Sequence, residues 1–217
     1  NVVSTSTRGG FGSASSCSSG AAGAVRLSAA SGEGKTGDSS ESSSAKGLKS
    51  DRFVAINNGS FTIDSSDDAI HSNGNVSVAD GTLSISSGDD GIHADSALKI
   101  SGGSVTVSKS YEGLEGMTID VSGGTVSVTA SDDGLNAAGG NDQSSMNGRP
   151  GQNRFAAQEG VYISISGGSL TVDASGDGID SNGDVKMSGG EVYVSGSTDN
   201  GNSAFDYNGE ATITGGT

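Results

Sequence analysis

The sequence predicts an all-β fold, a right-handed parallel β-helix of about seven turns. Three observations lead to it. Apolar residues recur in columns at steps of 21 or 22 residues. Within each step they stand at i and i+2, the alternation of a strand with one buried face. A turn pair containing glycine falls at the same place in every step, between the last two apolar pairs.

The first column reads Leu48, Ile70, Ile92, Leu114, Leu135, Ile179 and Phe205. The second strand of each unit is marked by Val54 and Ile56, Val76 and Val78, Leu98 and Ile100, Ile119 and Val121, Ile163 and Ile165, Val185 and Met187, and Ala211 and Ile213. The third is marked by Phe61 and Ile63, Leu83 and Ile85, Val105 and Val107, Val126 and Val128, Leu170 and Val172, and Val192 and Val194. Most are β-branched, as half-buried strands prefer. The turn before the third strand is Asn58-Gly59, then Asp80-Gly81, then a Gly-Gly pair in each later unit. One unit cannot bury its apolar face alone, but stacked units can, and parallel connections coil to the right. Seven laps at strand spacing make a rod core of roughly 34 Å.

The step from Leu135 to Ile179 is 44 residues and holds one set of strand pairs, which leaves a loop insertion at about 139–160 with Arg149, Pro150 and Arg154. A 26-residue step holds a smaller insertion around 196–202. Residues 1–44 are expected to be a Gly/Ser-rich irregular segment or insertion, with a possible strand at 23–27, and 45–217 the β-helix domain. A further strand is due after Thr217, which predicts truncation or a cap from other domains or chains at the helix ends.

Composition agrees with a fold that needs few large side chains. There are 38 Gly, 1 Pro and no Trp, and hydrophobic residues make up 31%. The net charge of −15, from 26 acids against 11 bases, repels phosphate backbones, so no nucleic-acid partner is expected. No run of about 18 apolar residues occurs, so no membrane insertion is expected. The first residues lack the apolar core of a leader, which reads as a mature or excised chain. Cys17 stands alone, so no internal disulfide is possible.

One corner of the coil is acidic. Just before the first column stand Asp68, Asp90, Glu112, Asp133 and Asp177, preceded by Asp67, Asp89, Tyr111, Asp132 and Gly176. Three residues after them come His71, His93, Glu115, Asn136 and Asp180. Stacking puts like charges ~5 Å apart, where they repel by roughly 3 kcal/mol at an effective dielectric near 20. Protonation, hydrogen bonds or bound cations must answer that repulsion. Calcium suits carboxylate and carbonyl oxygens. Asp-Asp-Gly is also an ordinary turn sequence whose carboxylates bond local N–H groups, and His71 and His93 have neighbouring aspartates to bond.

The unit SGDDGIHADSALKISGGSVTVS at 87–108, with YEGLEG at 111–116 and SDDGLNAAGG at 131–140, resembles a family of bacterial carbohydrate-binding proteins. The resemblance covers about 44–217 and implies an extracellular, secreted or surface-attached β-helix that carries calcium and binds cellulose or acidic sugars such as polygalacturonate. It is also similar in fold to family 9 pectate lyases, which hold calcium on an Asp-Asp-Gly-x-Asp corner and use a lysine base. Carried over, Asp67, Asp68, Asp89, Asp90, Glu112 and Glu115 are calcium ligands. His93 stands where the lyases have Asp. Asp132 and Asp133 continue the file, and Asp177 and Asp180 make a separate site.

Three functions follow. A lyase needs a base and converging positive charge; Lys99, Lys109 and Lys186 lie on strands, Lys46 and Lys49 at the first corner, and no cluster converges. A binder needs less. Arg149 and Arg154 suit acidic sugars, and Tyr111, Lys109 and His93 beside the corner complete the candidate ligand-binding set. A structural or adhesin rod would use calcium only as a staple. The expectation is a calcium-binding protein of acidic plant polysaccharide (pectin) or cellulose, more binder than enzyme.

Overall fold

The computed structural model describes residues 24–29, 45–137, 156–197 and 201–217. All its regular elements are strands, and they form one 17-stranded sheet in which every pairing is parallel. A parallel β-solenoid of about seven laps results. No helix is long and apolar enough to cross a membrane among the described residues.

The strands follow the predicted columns. Strand β1 (Ala24–Ala29) comes first. The first two laps are β2 (Leu48–Ser50), β3 (Phe53–Ile56) and β4 (Ser60–Ser65), then β5 (Ile70–Ser72), β6 (Asn75–Val78) and β7 (Thr82–Ser86). In the next two laps the first and second strands run together, as β8 (Ile92–Ile100) with β9 (Ser104–Lys109), and β10 (Leu114–Val121) with β11 (Thr125–Ala130). In the following two the second and third strands join, as β12 (Leu135–Ala137) with β13 (Tyr162–Ala174), and β14 (Ile179–Ser181) with β15 (Asp184–Ser195). The last lap has β16 (Phe205–Tyr207) and β17 (Ala211–Gly215). Three separate strands per lap were predicted. The joined ones arise where ladder pairing continues past the bend at a register shift, as at Gly116 on β10 and Ser166 on β13.

Register is set by the inward columns. Ile70 lies over Ile92, Ile92 over Leu114, and Leu114 over Leu135. Strand β1 joins the same pattern, with Val25 opposite Phe61 and Leu27 opposite Ile63. A one-residue slip would turn every inward side chain to water, so burial fixes the pairing. Ile56, Ile70, Ile92, Leu98, Leu114 and Leu135 are fully buried, each worth about 1.5–3 kcal/mol in transfer terms. Ile213, in the column of Met187, is 65% exposed, because no described lap stacks on it.

The repeated turn works through glycine. Gly59, Gly81, Gly103, Gly124, Gly168, Gly190 and Gly216 all have positive φ, between 80° and 117°. L-residues resist that conformation. The stack adds a second reason: a Cβ on Gly103 would sit 2.7 Å from the carbonyl oxygen of Gly81 in the lap before.

Candidate functional site

The acidic corner is built by backbone bonds between laps. The N–H after each corner acid donates to the carbonyl of the equivalent acid in the next lap: Ala69 to Asp90, Gly91 to Glu112, Gly113 to Asp133, and Gly134 to Asp177, at 2.9–3.0 Å. Gly47 extends the series to Asp68, and Gly178 to Ser203. The inner file therefore runs Lys46, Asp68, Asp90, Glu112, Asp133, Asp177, Ser203. A parallel file three residues on runs Lys49, His71, His93, Glu115, Asn136, Asp180, Asp206, paired strand to strand. Asp67, Asp89, Tyr111 and Asp132 form the outer edge.

The backbone holds several carboxylates directly. Asp68 Oδ1 accepts from the Asp90 N–H at 3.3 Å, and Asp133 Oδ1 from the Asp177 N–H at 2.7 Å. Asp177 Oδ1 accepts from the Ser203 N–H. Each bond joins one lap to the next, so aspartate in this column also clamps the stack.

Charge compensation divides the corner in two. In the early laps the protein supplies its own cations. Lys46 Nζ lies 3.1 Å from Asp67 Oδ1 and also pairs with Asp68 Oδ2. Asp68 Oδ2 is 2.7 Å from His71 Nδ1 as well. Burial opposes the Asp68 carboxylate, yet the bonds from His71 and Lys46 outweigh it and hold its pKa well below the usual range. His93 is buried, with Nδ1 2.9 Å from Asp90 Oδ2 and in contact with Glu115 Oε2. Burial opposes its charge too, but Asp90 and Glu115 prevail and raise its pKa. The two imidazoles stack at 4.7 Å. Lys46, expected at the first corner, stands one lap before the first aspartate doublet and pairs with both of its carboxylates.

Among the described residues the later laps have no such cations. Among the described residues no ion pair reaches Glu112, Asp133, Asp177 or Asp180. Burial, then the charges of Glu115 and Asp90, push the Glu112 carboxyl up to about 9. Burial raises Asp133 to about 6, with Asp132 and Asp177 adding to it against the bond from the Asp177 N–H. Burial and the charges of Asp133, Asp177 and Asp206 raise Asp180 to about 7. Asp133, Asp177 and Asp180 bring ligand atoms within 4.8 Å of one another.

Asn136 lies in this half and is 7% exposed. Its Nδ2 donates to Glu112 Oε2 at 2.8 Å, while its Oδ1 has no hydrogen-bond partner among the described residues. A planar amide points its two ends apart, so Oδ1 is turned away from Glu112. A buried acceptor without a donor is costly. The three carboxylates are oxygen donors of the kind a hard cation such as calcium takes, and Asn136 stands in register with Asp180 on the neighbouring strand.

The other expected residues are distributed as follows. Asp67, Asp68 and Asp89 form a second close acidic group beside Lys46. Tyr111, 38% exposed, is tied to Asp132, and that bond, with some burial, pushes its hydroxyl up to about 12. Lys109 is exposed at the end of β9, where its carbonyl accepts from the Ser87 N–H at 2.9 Å. Arg149 and Arg154 lie outside the described residues. Asp206, Asn73 and Asp95 were not singled out from the sequence. Asp206 was legible from the position of Phe205, and Asn73 and Asp95 from their H-x-N and H-x-D spacing after His71 and His93.

A polysaccharide lyase-like protein from C. thermocellum, solved as a gadolinium derivative, is similar at 23% identity and a TM-score of 0.49, over 89% of this chain and 68% of that one. No curated protein matches the chain. Residues 3–91 match the model of a family described as carbohydrate-binding domain-containing protein, and over that stretch the chain is similar to its members.

Proposed function

We propose that this chain is an extracellular carbohydrate-binding module that takes acidic polysaccharide with the help of calcium. The observation that carries the reading is the half of the corner without a cation among the described residues: Asp133, Asp177 and Asp180 lie within reach of one another, and Asn136, whose Oδ1 has no partner among those residues, stands in register with Asp180. The similarity of residues 3–91 to a carbohydrate-binding domain family supports carbohydrate as the ligand class. Asp133, Asp177, Asp180 and Asn136 would hold the ion, with Glu112 next to them. A bound calcium supplies positive charge that attracts uronate carboxylates to an otherwise acidic surface. Tyr111, exposed on the outer edge between Asp89 and Asp132, offers a face for a sugar ring.

The lysines favour binding over lyase chemistry. Lys46 is committed to Asp67 and Asp68. Lys99 and Lys186 are more than half exposed and lie nearest Asp120 and Asp184, away from the corner. A base must come within hydrogen-bond reach of its proton, and neither lysine stands at the acidic corner.

Affinity electrophoresis through polygalacturonate, with calcium and then with chelator, tests the proposal. Retardation that chelator abolishes supports it. Equal mobility in both gels and on cellulose would refute it and leave a structural rod. A rise in ultraviolet absorbance from unsaturated uronate would identify a lyase instead.

A further inference from the structure

An asparagine followed by glycine is open to attack from within the chain. The glycine nitrogen reaches toward the side-chain carbonyl carbon, and no Cβ stands in its way. Whether the attack succeeds depends on what else holds that nitrogen and that side chain. Among the described residues such pairs begin at Asn58, Asn73, Asn182 and Asn208.

In three of these pairs both groups are engaged elsewhere. The Gly74 N–H donates to Ser72 Oγ at 3.2 Å, and Asn73 Oδ1 lies 2.9 Å from His71 Nε2. The Gly183 N–H donates to Ser181 Oγ at 3.1 Å, and Asn182 Oδ1 accepts from Asn208 Nδ2 at 3.1 Å. The Gly209 N–H donates to the Gly183 carbonyl at 2.7 Å. A Cβ on Gly74, Gly183 or Gly209 would run into a backbone carbonyl of the lap before, so these turns have little room to rearrange.

Asn58 differs on each count. Its Oδ1 accepts from the Gly59 N–H at 2.6 Å, so the side-chain carbonyl already rests on the nitrogen that would attack it. A turn about the Cβ–Cγ bond presents the carbonyl carbon to that same nitrogen. Asn58 is exposed, and Gly59 has φ 117°. Among the described residues beyond its chain neighbours, a Cβ on Gly59 would meet only the ring of Phe61, at 3.1 Å.

We propose that Asn58 is a site of spontaneous deamidation in the folded protein. The Gly59 nitrogen bonds to Asn58 Cγ, the Cγ–Nδ2 bond breaks, and Nδ2 leaves as ammonia with the proton from the Gly59 N–H. Water then opens the five-membered imide. Opening at the side-chain carbonyl gives aspartate, and opening at the main-chain carbonyl gives isoaspartate. The turn fits the first product, because Asp80 stands in the same column one lap on and accepts from the Gly81 N–H in the same way, at 2.7 Å. Isoaspartate adds a methylene to the main chain between Ile56 and Ser60, which pair in fixed register with Val78 and Thr82, so that product should loosen the first lap. The inference does not rest on the carbohydrate reading, since it concerns a turn away from the acidic corner and its test uses neither metal nor glycan.

The test is incubation of the whole chain at mildly alkaline pH, folded and in guanidinium, followed by tryptic digestion and fragment-ion mass spectrometry. In the folded chain the mass gain of amide-to-acid exchange should appear at Asn58 several-fold faster than at Asn73, Asn182 or Asn208. In guanidinium the four should react at similar rates. Asn58→Gly puts there the residue that the later laps carry in this column, so the variant should fold and lose the signal at this turn. Asn58 left intact in the folded chain while the unfolded chain reacts would overturn the proposal. So would Asn73, Asn182 or Asn208 keeping pace with Asn58 in the folded chain.

Discussion

Replacing Asp180 with Asn should stabilise the metal-free protein at neutral and higher pH. Asp180 is packed among Asp133, Asp177 and Asp206, and burial with those charges raises its carboxyl from 3.8 to about 7. A raised carboxyl pKa in the folded state costs stability as pH rises. Below about pH 4 the group is protonated in both states, and Asp and Asn should behave alike. Between about pH 4 and pH 7 the unfolded chain ionises first, and the wild type loses ground. Above the folded value the deficit is complete, at most about 4 kcal/mol for a shift of this size. Urea unfolding in chelator at about pH 4 and about pH 8 reads this directly, as a midpoint difference that opens with pH. Saturating calcium should then restore the wild type more than the variant, because only the wild type offers the full carboxylate set. An Asp180→Asn protein less stable than wild type in chelator at about pH 8 would refute the reasoning.

Other outcomes follow from the same geometry. Lys46→Met leaves Asp67 and Asp68 without their lysine, and should cost about 3 kcal/mol in urea unfolding at neutral pH; adding Asp68→Asn should recover much of the loss. Leu114→Ala removes a fully buried side chain and should cost about 2–5 kcal/mol by the same assay. Gly134→Ala would drive a Cβ into Val172 and to 2.6 Å from the Gly178 carbonyl oxygen; it should cost at least about 1–3 kcal/mol, and Val172→Ala should relieve only part, since the carbonyl is backbone.

The fold was legible because a solenoid writes itself into the sequence as a period. Once Ile70, Ile92 and Leu114 are aligned, register, strand faces and the positive-φ turn follow, and the structure agrees at each. The joined strands were not legible, since continuity past a bend depends on bulges such as the one at Gly116, not on side-chain type. At the corner, the sequence showed which residues stack but not how their charges are settled. Lys46 lies one lap before Asp68, and its role appears only when the turn is closed. The same applies to Asn136. Its place in the file was visible, but which amide atom finds a partner depends on the rotamer that Glu112 imposes.

Ala137 ends β12 and Tyr162 begins β13, and both strands pair with β10, Leu135 with Leu114 and Tyr162 with Thr118, in the register of an ordinary lap. The number of residues between Ala137 and Tyr162 therefore leaves the register of the lap unchanged. Doubling a flexible connection adds only about 0.6 kcal/mol of closure entropy, little against the core that each lap buries. This corner is thus a natural port: foreign segments spliced between 138 and 155 should ride on the scaffold without disturbing the strands on either side.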